Sequence, residues 1–413
     1  TYESLKFPGI QASILGIVFL RHVSEISVTK SLAKSAAGLG VIPWRHYLCS
    51  MHTPHPLMIG SEVFRTKTQR SGHPLGIPRV TLTMDLCRLL GWVDDVNFID
   101  SPRATKDDLA DFHNMEYINA VDAAETSGHI NPALAERFHI GVNGNPIFDG
   151  MYQRPATACG GGLLAAALLA HAGGAIYNIG GGQHHGRPNR ASGFCYFNEP
   201  VLAIRSMLRR GVQRVFYIDL DAHQGDGVQD AFANEPRVFT LSVHEAGRWP
   251  MKKTALPGDL GTVEDGGPAH RNLPVLPGFN DTELEYIMET AVLPLIQTFR
   301  PNVIYFQGGC DSLADDPQSK LLLSNTALWR ALAMVRDAAP GILVSGGGGY
   351  NPYAVGRCWA GNWAILNKFD IPAFLPDPAR RLLSGIIWAH RLGRNPERHW
   401  LSTVADRPRP GRI

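Results

Sequence analysis

Apolar residues along this chain fall into short runs separated by longer stretches in which they recur every three or four positions. The runs are Ala175–Ile179, Val215–Leu220, Val238–Val243, Val303–Phe306 and Ile342–Val344. Between and after them lie Pro155–Ala172, Asn198–Arg210, Asp281–Phe299, Asn325–Ala338 and Tyr353–Asn367. Short runs without polar alternation predict strands buried on both faces, and the longer period predicts helices. Strands alternating with helices predict an α/β fold with a parallel sheet covered on both sides. No linker-like stretch interrupts residues 70–370, so they read as one large domain. Residues 1–50 fit no pattern and are set apart as an N-terminal extension of unknown role, before a main domain at 51–375. Residues 376–413 hold eight Arg against Asp377, Glu397 and Asp406, and read as a basic C-terminal segment wrapping the domain.

Composition narrows the class. Lys plus Arg number 39 and Asp plus Glu 37, so no basic surplus points to nucleic acid. The six cysteines form no CxxC pair, which predicts reduced thiols and a cytoplasmic protein. No uninterrupted apolar run reaches the ~20 residues of a membrane span, so no membrane partner is expected. Ile10–Leu20, broken by Gln11 and Ser13, is expected to be a buried element.

The chemistry collects at the ends of the predicted strands, where open α/β sheets bind their ligands. Gly180-Gly181-Gly182-Gln183-His184-His185 follows the first run, and Asp219-Leu220-Asp221-Ala222-His223 closes the second. Gly308-Gly309-Cys310-Asp311 follows the fourth, and Ser345, four glycines and Tyr350 follow the last. On an extended backbone, alternate residues share a face. Asp219, Asp221 and His223 can then point one way, a costly grouping unless a cation sits among them. With Asp311 they describe an open divalent site suited to Zn²⁺, to which Fe²⁺ would also fit. His184 and His185 are the natural proton carriers, with Asp219 and Asp226 as carboxylate partners. The phenol of Tyr350 can donate to a developing oxyanion. Each feature alone has a bland reading: an Asp helix cap, a buried Tyr, a glycine turn. Their shared position at the strand ends is the signal.

Ala191-Ser192-Gly193-Phe194-Cys195-Tyr196-Phe197-Asn198 after the histidine pair, Tyr217–Gly227, Gly309-Cys310-Asp311-Ser312-Leu313 with Asp316, and Gly346–Asn351 with Arg357-Cys358-Trp359 together resemble the zinc-dependent histone deacetylase family. That family includes acetoin-utilisation proteins and acetylpolyamine amidohydrolases, and the resemblance covers roughly residues 70–370. It implies the arginase–deacetylase fold: a three-layer α/β/α domain with an eight-stranded, mostly parallel sheet. It also implies hydrolysis of N-epsilon-acyl-lysine, acetyl-lysine first, in proteins or peptides. By the resemblance, Asp221, His223 and Asp311 hold the zinc. His184 is backed by Asp219, His185 is the general base and acid backed by Asp226, and Tyr350 polarises the amide carbonyl. Gly193, Phe194 and Trp249 line the acyl-lysine tunnel. Carbonyls of Asp219, Asp221, His223 and Val243 with the Ser242 hydroxyl bind a structural K⁺, and Arg79 belongs to a channel for the released acid.

The rim departs from the pattern. Asn143 stands where relatives have an acid that clamps the peptide backbone, and Gln318 stands near a position that tunes substrate choice. A neutral rim is expected to disfavour cationic polyamines. Rival readings are a small-molecule deacetylase acting on acetylpolyamines and a lysine deacylase for another group such as lactyl. An arginase-like ureohydrolase and an acyl-lysine reader without catalysis fit less well: no second metal set is found, and no expected ligand is missing. The sequence leaves homo-oligomerisation open.

Overall fold

The computed structural model describes residues 55–65, 73–250 and 269–413. The expectations for residues 1–50 and for Ile10–Leu20 lie outside the described residues. Contacts divide the chain after Met51, and the fold is that of the unit His52–Ile413.

Each apolar run forms a strand. They are β3 Gly174–Asn178, β4 Val215–Asp219, β5 Val238–Glu245, β7 Val303–Gln307 and β8 Gly341–Ser345. Three further strands, β1 Leu57–Gly60, β2 Phe98–Asp100 and β6 His270–Val275, complete one eight-stranded sheet. The order is β2-β1-β3-β8-β7-β4-β5-β6. Every pairing is parallel. All residues of β4, β5, β7 and β8 are buried, which requires cover on both faces and explains why these strands show no polar alternation. The three unpredicted strands have weaker signals: β2 is three residues long, and β6 reads His-Arg-Asn-Leu-Pro-Val.

Two helices bear on their sequence patterns. Gln153–Ala172 is 20 residues long and by mean hydropathy apolar enough to cross a bilayer, although Arg154, Thr157 and His171 interrupt its apolar run, and 78% of its apolar window is buried inside the fold. The stretch Asp281–Phe299 is not one α-helix. A π turn, Met288–Val292, joins Asp281–Ile287 to Leu293–Phe299. Pro294 sits just past that junction, has no N–H and crowds the preceding turn, which accounts for the wider turn.

The C-terminal segment packs on the domain. Leu383, Trp400 and Val404 are buried. Buried Arg357 donates to Thr403 O at 2.8 Å and pairs with Asp406. Asp315 accepts from Trp400 Nε1 at 2.7 Å and lies near Arg409 and His399. These arginine partners make Asp315, His399 and Asp406 a structural knot.

Candidate active site

Four neighbouring strands in the middle of the sheet, β3-β8-β7-β4, end in flush register. Asn178 pairs with Ser345, Ser345 with Gln307 and Gln307 with Asp219. The chain leaving each of them carries the candidate residues, which the sheet order brings around one opening.

His184 and His185 are 3% and 4% exposed, with ring centroids 3.9 Å apart. Each ring is held by a carboxylate: His184 Nδ1 meets Asp219 Oδ2 at 2.7 Å, and His185 Nδ1 meets Asp226 Oδ1 at 2.7 Å. Both rings therefore keep Nε2 for other contacts. Their proton affinities are driven apart. Burial opposes charge on His184, but Asp219 and Asp221 outweigh it and lift its pKa to about 9. Burial, and then the charge of His184, hold His185 down at about 4 despite Asp226. One imidazole keeps its proton near neutrality and its neighbour is free to take one.

Asp221, His223 and Asp311 each offer one ligand atom, all within 4.8 Å of one another. His223 Nδ1 lies 3.2 Å from Asp221 Oδ1 and 2.9 Å from Asp311 Oδ2. Both carboxylates are essentially inaccessible, at 1% and 0% exposure. Burial, and then Asp221, push Asp311 up to about 6. Burial also acts against charge on His223, but Asp311 and Asp221 outweigh it and raise it to about 10. Two buried carboxylates converging on an imidazole call for a positive charge among them, and two oxygens with one nitrogen suit an open divalent site.

The loop after β8 closes over these ligands. Gly348 N donates to Asp221 Oδ2 at 2.8 Å. A Cβ at Gly348 would run into the carboxylates of both Asp311 and Asp221, so the loop requires glycine there. Tyr350 follows and is 8% exposed. Burial, then Asp311 and Asp221, keep its phenol protonated well above the ordinary range, hence a donor. Its ring lies 6.0 Å from that of Phe194. Gly193 has φ +53 and presses against His185 and Trp249, leaving no room for a side chain. Trp249 stacks edgewise on His185 at 4.7 Å and is 50% exposed.

An outer groove of about 1210 Å³ is lined by Gly193, Phe194, Trp249, Tyr350, Asn143 and Gln318. Its rim is not neutral as expected. Arg187, Arg190, Arg248 and Lys320 also line it, against Asp226 and Glu245. Arg187 pairs with Asp226 and Asp230, and Arg248 with Glu245. Arg190 and Lys320 form no ion pair among the described residues. These positions are scattered through the sequence, so their convergence has no local signature. Asp219 and Ser242 are register partners on β4 and β5, with Val243 next to Ser242. The Ser242 hydroxyl lies 2.8 Å from His244 Nδ1. Arg79 sits behind the site, donating to Gly347 O at 2.7 Å over the Trp359 ring.

Sequence reasoning assigned no role to the residues that hold these groups, although Tyr217 and Asp316 stand within the motifs. Tyr217 donates to Asp219 Oδ2 at 2.6 Å, and Gln307 Nε2 to Asp221 Oδ2 at 3.2 Å. Asp316 accepts the amide of Tyr350 at 2.6 Å and that of Gln318 at 2.9 Å. Asn145 Oδ1 accepts from Phe194 N at 2.9 Å. Glu199, fully buried, accepts from Gly182 N at 2.9 Å, Asn178 Nδ2 at 3.1 Å and Tyr305 OH. Burial pushes its pKa up to about 7, the three donors pulling the other way. A Glu at the start of a helix looks like ordinary dipole placement, so nothing local marks this one. Glu199→Met should leave three buried donors without an acceptor and lower unfolding free energy by on the order of 3 kcal/mol. Denaturant unfolding reads this directly; a loss below about 1 kcal/mol would mean that water replaces the carboxylate.

Residues 73–366 match the family described as the histone deacetylase domain. The chain is 34% identical over 323 residues to the acetoin utilization protein AcuC of Bacillus subtilis, covering 76% of this chain and 82% of that one. It is 33% identical over 310 residues to histone deacetylase HDAC1 of Drosophila melanogaster, covering 74% of this chain but only 58% of the fly protein's length. Among solved structures, a histone deacetylase homologue from Aquifex aeolicus superposes with a TM-score of 0.81 at 32% identity, over 87% of this chain and 96% of that one.

Proposed function

The chain belongs to the histone deacetylase family of hydrolases, and from that premise we propose that it hydrolyses the side-chain amide of N-epsilon-acyl-lysine, acetyl-lysine first, by a metal-dependent route. The observation that carries this reading is the convergence of Asp221, His223 and Asp311 with two carboxylate-backed histidines and a buried phenol at the foot of one groove.

Asp221, His223 and Asp311 would hold Zn²⁺, or Fe²⁺, with a K⁺ at the Ser242 hydroxyl and the carbonyls of Asp219, Asp221, His223 and Val243. Bound at the first site, a divalent ion supplies Lewis acidity and neutralises the converging carboxylates. The remaining steps belong to the chain. Gly193, Phe194 and Trp249 flank the apolar lysine stem while its polar end reaches inward. His185, neutral and oriented by Asp226, takes the proton of the attacking water. Tyr350 donates its phenol to the carbonyl oxygen as negative charge develops there. The C–N bond breaks, and a histidine returns a proton to the departing amine. His184, which holds its proton more tightly, keeps positive charge beside that centre.

The test is turnover of an acetyl-lysine peptide with and without a chelator. Activity should vanish with chelation and return with added Zn²⁺; turnover that ignores the chelator would remove the metal from the mechanism. Substrate choice gives a second measurement. The groove shows no unpaired acid among its described lining residues, so a cationic polyamine finds no counter-charge. Acetyl-lysine peptides should show higher kcat/KM than acetylspermidine or acetylputrescine. Gln318→Glu should move the ratio toward polyamines by about fivefold, the worth of one partly hydrated charge contact. A wild-type preference for acetylpolyamines would contradict this assignment of the rim.

A further inference from the structure

The outer groove continues inward through two smaller spaces. The first, about 50 Å³, is lined by His184, His185, Asp221, His223, Tyr350 and Arg79. The second, about 110 Å³, shares Leu75, Arg79, Gln183, Phe194 and Gly347 with the first and reaches on to Arg154. The three spaces therefore lie in series: groove, reacting centre, and a chamber beyond it.

The chamber is unusually charged for an inner space. Arg79 and Arg154 both line it, and no acidic side chain does among the described residues. Arg79 donates to the carbonyl of Gly347 and forms no ion pair among the described residues. Arg154 projects from the largely apolar helix Gln153–Ala172, and its guanidinium Nη2 donates to the carbonyl of Phe64 at 3.5 Å. Burial, and then Arg79, hold the Arg154 guanidinium below its ordinary pKa, with Asp149 and Glu125 outside the chamber lining pulling the other way. The rest of the wall is largely apolar, with Phe64, Ile77 and Trp359. Such a chamber disfavours a purely hydrocarbon tail and suits a short methylene arm that ends in an anion.

We propose that Arg154, with Arg79, makes this chamber a carboxylate site for the acyl group itself. The preferred acyl groups are then short dicarboxylic ones of the malonyl or succinyl class. The inference rests on the acyl-lysine reading above. With the scissile carbonyl beside Tyr350, the acyl tail points away from the groove and into the chamber. Water adds to that carbonyl, the C–N bond breaks, the lysine amine leaves with a proton, and the acid departs as a dicarboxylate.

The metal-loaded full-length protein is tested on one peptide carrying acetyl-, butyryl- or succinyl-lysine. Succinyl should exceed butyryl, its near-equal in length, by about tenfold or more in kcat/KM. Arg154→Met should erase that ratio, and Arg154→Lys should keep part of it. Calorimetric binding of free succinate against butyrate to the wild type gives the same comparison without a variant. A wild-type preference for butyryl, or a ratio unchanged in Arg154→Met, overturns the proposal. So does a chamber that binds free acetate through Arg154 while succinyl-lysine gains nothing, because it would then serve only the departing acid. If none of the three peptides is cleaved, the acyl-lysine reading fails instead, and succinate binding still decides whether the chamber takes a carboxylate.

Discussion

Asp311→Ala should abolish tight divalent-metal binding and lower turnover of an acetyl-lysine peptide by on the order of 10³ or more, since loss of residues that merely support a ligand already costs 10- to 100-fold. Asp311 is fully buried and does two things at once. One oxygen faces His223 at 2.9 Å, and the other accepts the amide of Ala222 at 2.8 Å. Alanine removes a ligand atom and leaves that amide unpaired, so a loss of fold must be separated from a loss of metal. Asp311→Asn serves for this purpose. It retains an oxygen for Ala222 and nearly the same shape, yet lacks the charge that balances the cation. Metal content by elemental analysis, unfolding by denaturant and kcat on the peptide should show a folded, metal-poor, inactive protein. Full metal occupancy with wild-type turnover in either variant would move the metal site elsewhere.

Tyr350→Phe should leave metal content and KM close to wild type and reduce kcat by roughly 10²–10³, the usual worth of one oxyanion donor. The substitution is clean in this setting. The loop is held through its main chain, with the Tyr350 amide on Asp316, and the ring contact with Phe194 does not need the hydroxyl. The phenol is kept protonated by burial and by the neighbouring Asp311 and Asp221, so it is a donor throughout the working pH range. A fall in metal content would assign Tyr350 to the architecture of the ligands. Unchanged turnover would remove it from the reaction.

Much of the chemistry was legible in local pattern. The run Asp-x-Asp-x-His at a strand end announces itself because clustered carboxylates and an imidazole need a cation. The extended spacing does not persist, however: the strand stops at Asp219, which turns to His184, and Asp221 and His223 reach the ligand group with Asp311 from the bends beyond it. Paired histidines after glycines, and a Tyr after four glycines, could be placed at strand ends because fully buried parallel strands read as unbroken apolar runs. What remained hidden follows from the same physics. Strand β2 is three residues long and β6 is half polar, so neither carries a period. Glu199, Gln307 and Asp316 look like a helix start, a strand end and a loop acid, and only distance shows what they hold. Arg154 is one charge in an otherwise apolar helix.

The chain's own order of residues thus determined the donor types, their spacing within each segment and the α/β alternation. It did not determine that β3, β8, β7 and β4 lie side by side, though they are third, eighth, seventh and fourth in the chain. That order arises from which apolar faces bury one another, an outcome of the whole core. It alone brings His185, Tyr350, Asp311 and His223 to one point, sets the charged rim of Arg187, Arg190, Arg248 and Lys320 around it, and places Arg79 beside Arg154 beneath. Segments far apart in sequence carry no mutual signature, because the energy that joins them is non-directional burial and not a local rule.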